Sequence, residues 1–291
     1  MRSGKFIRGL LAVMSLFVAL NACAQTGKLI VVYPRPETET DYRNELPFAM
    51  LNLALNKAGV AFELRPSEQH MQQNRALLQL ASNVEINVVW SMTSKERERG
   101  LLPVRIPIDK GLLGWRILLI RKSDVERFSH IQTIEQLRPL SAGQGHDWPD
   151  ADILMANEIR VLKSPDYDSL FKMLERNRFD FFPRSVSEAW NELDTHKEKD
   201  IEVEKTIALH YPAAEYFFVN QHNENLARLL ETGLRKAIKD GSFDRLFNRF
   251  NGAAIKNADL KNRHIIKLNN PLMSEDTPFS NRELWFDPMQ F

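Results

Sequence analysis

The stretch Lys28-Leu29-Ile30-Val31-Val32-Tyr33, closed off by Pro34-Arg35-Pro36, decides the fold. A short apolar run rich in β-branched residues and bounded by proline reads as a buried strand. Working outward, Glu45–Ala58 places Phe48, Leu51, Leu55 and Ala58 at helical spacing and meets Gly59, a C-terminal stop. Val60–Leu64 reads as a second strand, Met71–Ala81 as a second amphipathic helix, and Glu85–Trp90 as a third strand. Strand, helix, strand, helix, strand predicts an α/β fold with a mostly parallel sheet and helices on its faces.

The pattern then repeats. Ser91–Arg97 is a polar turn leading into a short charged helix that ends near Gly100, Leu102–Ile108 reads as an extended connection, and Gly114–Arg121 as a strand. The composition turns charged at Lys122-Ser123-Asp124, so a first lobe is expected over 25–122 and a second over 123–212. The second should hold strands at Leu140–Ala142, Ile159–Leu162 and Phe179–Phe182, with helices at Thr133–Leu137, Asp166–Arg176 and Ser185–Leu193. The charged run Asp194–Glu204 reads as solvated loop and edge. The chain is expected to return near His210–Ala214 and to complete the first lobe over 213–251, with a strand at Glu215–Asn220 and helices at Asn223–Lys239 and Ser242–Phe250. The tail, 252–291, is polar and proline-containing, and its aromatic end (Trp285, Phe286, Phe291) predicts docking on the surface.

Arg2, Lys5 and Arg8 precede the apolar run Leu10–Leu20, which is short for a membrane span; 1–24 is expected to be a signal peptide cut after Ala24. The alternative is lipid attachment at Cys23, since Leu20-Asn21-Ala22-Cys23 resembles a lipobox. Either route exports the chain, with the periplasm as the expected location. Cys23 is the only cysteine, so no internal disulfide is possible and stability must come from a hydrophobic core. Without the leader, 36 basic residues face 38 acidic ones, which argues against a nucleic-acid binder.

Gly143-Gln144-Gly145-His146-Asp147-Trp148-Pro149-Asp150 stands out in the second lobe. Two glycines two apart suit a sharp turn or a close approach to a ligand, and Pro149 is acceptable in the first turn of the helix expected to follow. A helix start with its unpaired N–H groups receives anions, and an indole, an imidazole and an amide stand beside it. The alternative is an ordinary glycine-rich turn with an aspartate cap.

These elements together resemble the bacterial extracellular solute-binding proteins, family 3, the polar amino-acid type with a periplasmic-binding-protein type 2 fold. The resemblance runs over roughly 27–251 and rests on four stretches: Leu29–Tyr33, Ser94-Lys95-Glu96-Arg97 with Pro103–Pro107, Asn177-Arg178-Phe179-Asp180, and Leu234–Leu246. It implies two lobes joined by a hinge of crossing strands, closing on a small solute. It further implies that Arg97 pairs with the ligand's carboxylate, assisted by the helix start at Gly145, His146 and Asp147. A guanidinium suits that task because its planar fork holds a carboxylate in two hydrogen bonds.

One position departs from the family pattern. The aspartate that usually pairs with a ligand ammonium falls at Ser185, beside Arg184. Either the ligand is not a simple α-amino acid, or Asp147, Asp150, Glu188 or Glu215 supplies the charge; Arg184 with Arg97 would instead suit a ligand with two acidic groups. Tyr33, Trp90, Trp115 and Trp148 lie at strand ends or loops where they could stack on a ligand or pack the core rim; Trp148 is expected at the site because it shares a loop with the glycines, Trp90 because it precedes the Arg97 turn, and Arg35 because its loop should face the cleft. No metal, cofactor or catalytic motif is evident, although His146 with Asp147 or Glu188 would be an acid–base candidate. The expected partners are a small-molecule ligand and a membrane permease or sensor, with the chain itself a monomer and not an enzyme.

Overall fold

The computed structural model describes residues 27–38, 41–197 and 200–290. The expected signal peptide, Cys23 and Phe291 lie outside the described residues.

The first lobe begins with β1 (Leu29–Arg35), α1 (Glu45–Ala58), β2 (Phe62–His70), α2 (Gln73–Ala81), β3 (Val88–Met92), α3 (Lys95–Gly100) and β4 (Leu101–Val104). β1 and β2 pair in parallel with Val31 opposite Leu64. Gly59 adopts a left-handed conformation (φ 78°) just after α1, as its place at a helix stop predicts. The second part of the chain runs β5 (Trp115–Arg121), α4 (Val125–Ser129), α5 (Ile134–Leu137), β6 (Ser141–Gly145), α6 (Pro149–Ala156), β7 (Arg160–Ser164), α7 (Tyr167–Glu175), β8 (Phe181–Ser185), α8 (Ala189–His196), β9 (Ile201–Val203) and β10 (Ile207–His210). It then returns as β11 (Glu215–Asn220), α9 (Glu224–Lys239), α10 (Ser242–Ala258) and β12 (His264–Lys267).

β11 inserts between β3 and β4, antiparallel to both, and so stitches the returning chain into the first lobe. The second lobe is built on a seven-stranded sheet in the order β12-β10-β5-β8-β6-β7, with β9 also paired to β5. Two of its core strands carry apolar runs: Ile117 to Ile120 have no exposed surface, nor do Phe181 and Phe182. Such strands read as continuous apolar runs because both faces are covered.

Three expectations need correction. The crossing out of the first lobe falls before Trp115 rather than at Lys122, because β5 pairs with β8, β9 and β10. The expected charged loop Asp194–Glu204 contains a strand, β9, whose buried Ile201 adds to the same sheet. The tail does more than cover the surface. β12 adds a parallel strand to the second lobe beside β10, and the chain then passes back to the first lobe. There Leu272 accepts a hydrogen bond from Lys95 N–H (2.8 Å), Asp276 pairs with Arg105 (3.0 Å), and Phe286 N–H donates to Lys110 of the hinge (2.7 Å).

The hinge itself is tight. Ile108 N–H donates to the Glu215 carbonyl (2.9 Å) and Tyr211 N–H to that of Gly114 (3.2 Å), pairing the outgoing and returning segments. A Cβ on Gly114 would lie 2.1 Å from the Tyr211 carbonyl oxygen, so this approach requires glycine.

Candidate functional site

The lobes meet along a polar seam. From the first lobe come the loop after β1, the start of α2 and the β3–α3 turn; from the second come the loop after β6 and the β8–α8 turn. Helix starts and strand ends face each other there, which is where an open α/β fold places its ligands.

Arg97 sits on α3, whose start is capped by Ser94, its side-chain oxygen accepting Arg97 N–H at 3.2 Å. The guanidinium turns toward the seam. Nη1 donates to Ser91 Oγ (2.5 Å) and the Met92 carbonyl (2.8 Å), and Nη2 to Gln73 Oε1 (2.7 Å) and, across the seam, to the Asp147 carbonyl (3.4 Å). Every one of these partners is a neutral oxygen, and among the described residues Arg97 forms no ion pair. Burial accordingly pulls its pKa down to about 10, against partial support from the more distant Asp147 and Asp150 carboxylates.

The loop after β6 is not a glycine turn. Gly143 and Gly145 belong to an extended strand, and a Cβ at either would collide with an aromatic ring: Phe179 at 2.2 Å, Trp148 at 2.5 Å. The glycines therefore make room for protein rings and not for a ligand. Trp148 is 8% exposed, stacks on Phe182 (6.4 Å, 10°), and lies beneath the guanidinium groups of Arg184 (4.8 Å) and Arg43 (5.2 Å). Asp147 reaches across the seam, its Oδ2 accepting Asn74 N–H (2.9 Å) at the start of α2. The flanking residue Gln72 offers α2 no side-chain cap, so the second lobe caps a helix of the first. His146 stands on the outer rim, 3.8 Å from Asp147 Oδ1, too far for the hydrogen bond an acid–base pair would need.

Arg184, 2% exposed, is neutralised from within: Nε and Nη2 each donate to Glu192 at 2.6 Å, and Glu188 lies 3.0 Å away. Burial would lower its pKa, but the two carboxylates outweigh it and raise the value. The network continues through Arg116, which bridges Glu188 (3.5 Å), Asp150 and Tyr211 (2.8 Å to the hydroxyl). Tyr211 in turn donates to Asp150. Charges buried this deeply are tolerated because each has a partner of opposite sign.

Arg43, Arg116, Gln73 and Asp109 escaped sequence reasoning. Arg43 is the most central: its Nε donates to Asp41 (2.7 Å), and its guanidinium lies 4.3 Å over the Tyr167 ring of the opposite lobe. A sequence signal existed, since Arg43 follows the carboxyl end of the first strand by a short loop. Three cavities touch it. One of about 100 Å³ lies within the first lobe against Arg35 and Trp90. There Arg35 donates to the Ser67 carbonyl (2.9 Å) and Trp90 Nε1 to Asn44 (2.7 Å). A second, of about 60 Å³, lies between Gln73, Met92, Trp148 and Arg184. The third, of about 80 Å³, is bounded by Asp109, Glu188, Glu215 and Asn251. Trp148, with Gly145 packed on it, and Arg184 thus line the cavity beside Gln73, Arg97 meets the second lobe at Asp147, and Arg35 and Trp90 stand in the adjoining cavity. Arg97, His146 and Asp147 line an outer groove of about 670 Å³ together with Trp148.

No protein-family model matches the sequence, and no curated protein does at significant similarity. Solved structures do match the fold. An ancestral arginine-binding protein bound to arginine superposes with a TM-score of 0.58 at 16% identity, over 77% of this chain and 98% of its own. A Salmonella typhimurium periplasmic binding protein of high arginine specificity gives 0.58 at 13%, over 77% and 99%. The GluR0 ligand-binding core from Nostoc punctiforme, in complex with L-glutamate, gives 0.55 at 14%, over 76% and 98%. The chain therefore has the two-lobed fold of these binding proteins.

Proposed function

We propose that this chain is an exported solute-binding protein that closes its lobes on a small polar, carboxylate-bearing molecule and presents it to a membrane transporter. The observation carrying this reading is Arg97: a half-buried cation at the lobe seam, supplied with neutral oxygens only. A carboxylate delivered there would replace neutral hydrogen bonds with charge-assisted ones, roughly twice as strong. The Asp147 loop and the Gln73 amide flank the same point, so a ligand would touch both lobes and favour the closed arrangement by its differential affinity. The fold supports the reading, since the similar structures hold arginine or glutamate. Their role as binding proteins also favours a binder over an enzyme here.

A thermal-shift screen of the mature chain against amino acids, dicarboxylates, polyamines and neutral sugars tests this proposal. Carboxylates should raise the melting temperature by mass action and neutral sugars should not. No shift with any carboxylate, from a protein that melts cooperatively, would count against it.

A further inference from the structure

Arg43 lies on the short 3-10 turn Tyr42–Asn44, between β1 and α1 of the first lobe. Its anionic partners belong to the same segment. Nε and Nη2 donate to the two oxygens of Asp41 (2.7 and 2.8 Å), and Glu37 lies 3.5 Å from Nη2. Asp41 also accepts the Arg43 backbone N–H (3.1 Å), so the carboxylate that caps the turn fixes the guanidinium as well. The guanidinium nevertheless rests on the second lobe. It lies 4.3 Å over the Tyr167 ring and 5.2 Å from that of Trp148, the distances of a cation–π contact. Those rings are held by other partners: the Tyr167 hydroxyl donates to Glu192 (2.7 Å), and Trp148 stacks on Phe182. An arginine gripped by one lobe and laid over the rings of the other travels with the first lobe when a hinge opens. The rings then form an aromatic slot that Arg43 fills on closure.

A second observation concerns the space around it. Among the described residues Arg43 alone lines all three of the cavities of about 60, 80 and 100 Å³. Tyr167 walls one of them and Trp148 another, with the guanidinium between. Each cavity is smaller than the roughly 150 Å³ of an apolar cavity that takes benzene, and well below the roughly 300–1,000 Å³ of ordinary ligand pockets. The side chain that separates these cavities is therefore the one that decides how large a molecule the closed seam can hold.

We infer that Arg43 is the residue that sets the size of the solute: its guanidinium is a plug seated in the aromatic slot of the second lobe, admitting short acids and shutting out those that carry a ring. The inference rests on the carboxylate role of Arg97 and deepens it by naming the class, small aliphatic carboxylates. Removing the side chain joins the cavities into one space walled by Tyr167 and Trp148, where an aromatic ring stacks in place of the guanidinium.

Isothermal titration tests the plug with three probes: succinate, phenylsuccinate, which adds a ring to the same two carboxylates, and benzyl alcohol, which has the ring and no charge. Two variants are compared with wild type. Arg43→Ala removes the cation, and Asp41→Asn/Arg43→Ala removes its counter-charge as well while keeping a capping side chain. The double variant leaves no unpaired carboxylate at Asp41 and serves if melting curves show the single one unfolded. Wild type should prefer succinate to phenylsuccinate by at least ~10-fold. The variants should gain at least ~10-fold for phenylsuccinate, with succinate within about 3-fold of wild type, and they alone should bind benzyl alcohol. With succinate bound, phenylsuccinate held no more tightly by the variants than by wild type, or a gain shared equally by succinate, would overturn the plug and leave the Arg97 reading standing. Benzyl alcohol bound by the variants alone, with neither acid bound by any of the proteins, would support the plug and remove the Arg97 reading. Binding of no probe would overturn both.

Discussion

The Asp147 carboxylate of the second lobe accepts the backbone N–H of Asn74 in the first turn of α2, at 2.9 Å. The lobes are thus joined at their seam by a helix cap, an interaction normally made within one short segment. The same aspartate's carbonyl accepts from Arg97, so one residue holds both the helix start and the cation to which a ligand carboxylate is assigned. The cap predicts a measurable cost of removal. Asp147→Ala should lower stability in urea by about 1 kcal/mol, the usual worth of a side-chain cap, and small-angle scattering should show a more open molecule. An unchanged midpoint and radius would show that the cap does not hold the lobes together.

Gly145 packs against Trp148 with no room for a Cβ, the nearest ring atoms being 2.5 Å from its ideal position. Gly145→Ala should cost about 1–3 kcal/mol by overpacking and displace the Trp148 ring from Phe182, with a change in tryptophan fluorescence. A variant as stable as wild type would mean that the strand yields without strain.

Asp109 gives a pH dependence of definite sign. Burial raises its pKa to about 6, against the backbone N–H donors that oppose the rise. The neighbouring Glu215 is raised well above the ordinary carboxyl value by burial first and by Asp109 next. A carboxyl raised in the folded state lends stability below its unfolded pKa and loses it as pH rises through the folded value. The stability of wild type relative to Asp109→Asn should therefore fall by up to about 3 kcal/mol between pH 4 and pH 8. Parallel urea titrations at each pH would measure it, and a difference that stays flat or rises with pH contradicts the assignment.

Gln144 lies on β6 with no exposed surface, and both ends of its amide lack hydrogen-bond partners. Gln144→Met keeps the shape and removes the unsatisfied groups, so the urea midpoint should rise by the equivalent of about 1–2 kcal/mol. A fall would show that the amide is satisfied by an internal water.

Much of this was legible in the sequence, for reasons tied to particular residues. Phe179–Phe182 announces a buried strand because both faces of β8 are covered, whereas Leu29–Tyr33 reads the same way yet buries only Val31 and leaves Ile30 exposed, and the resemblance of Ser94–Arg97 to a known signature put Arg97 at the seam. The apolar run Ile117–Ile120 says only that β5 is buried, not which sheet buries it, and so the crossing was expected too late. Gly143 and Gly145 look like a turn because their partners lie outside the strand: Phe179 is distant along the chain, and Trp148 folds back on it. The function of Asp147 depends on α2, which meets it only once the lobes are together. The neutralisation of Arg184 required knowing that α8 turns Glu188 and Glu192 back onto it. The tail strand was hidden because Ile265-Ile266 is too short a run to stand out.

The central claim is that Arg97 is kept without a carboxylate partner so that a ligand can supply one. The direct measurement is the affinity of wild type, Arg97→Lys and Arg97→Ala for succinate by isothermal titration, with unliganded stability recorded alongside. The account predicts binding at least ~10-fold weaker in Arg97→Ala and intermediate in Arg97→Lys, because a lysine keeps the charge but not the paired hydrogen bonds. Unliganded stability should fall in Arg97→Ala, which strands the acceptors of four hydrogen bonds, so affinities are compared at a temperature where all three proteins are folded. Equal affinity in wild type and Arg97→Ala would contradict the account.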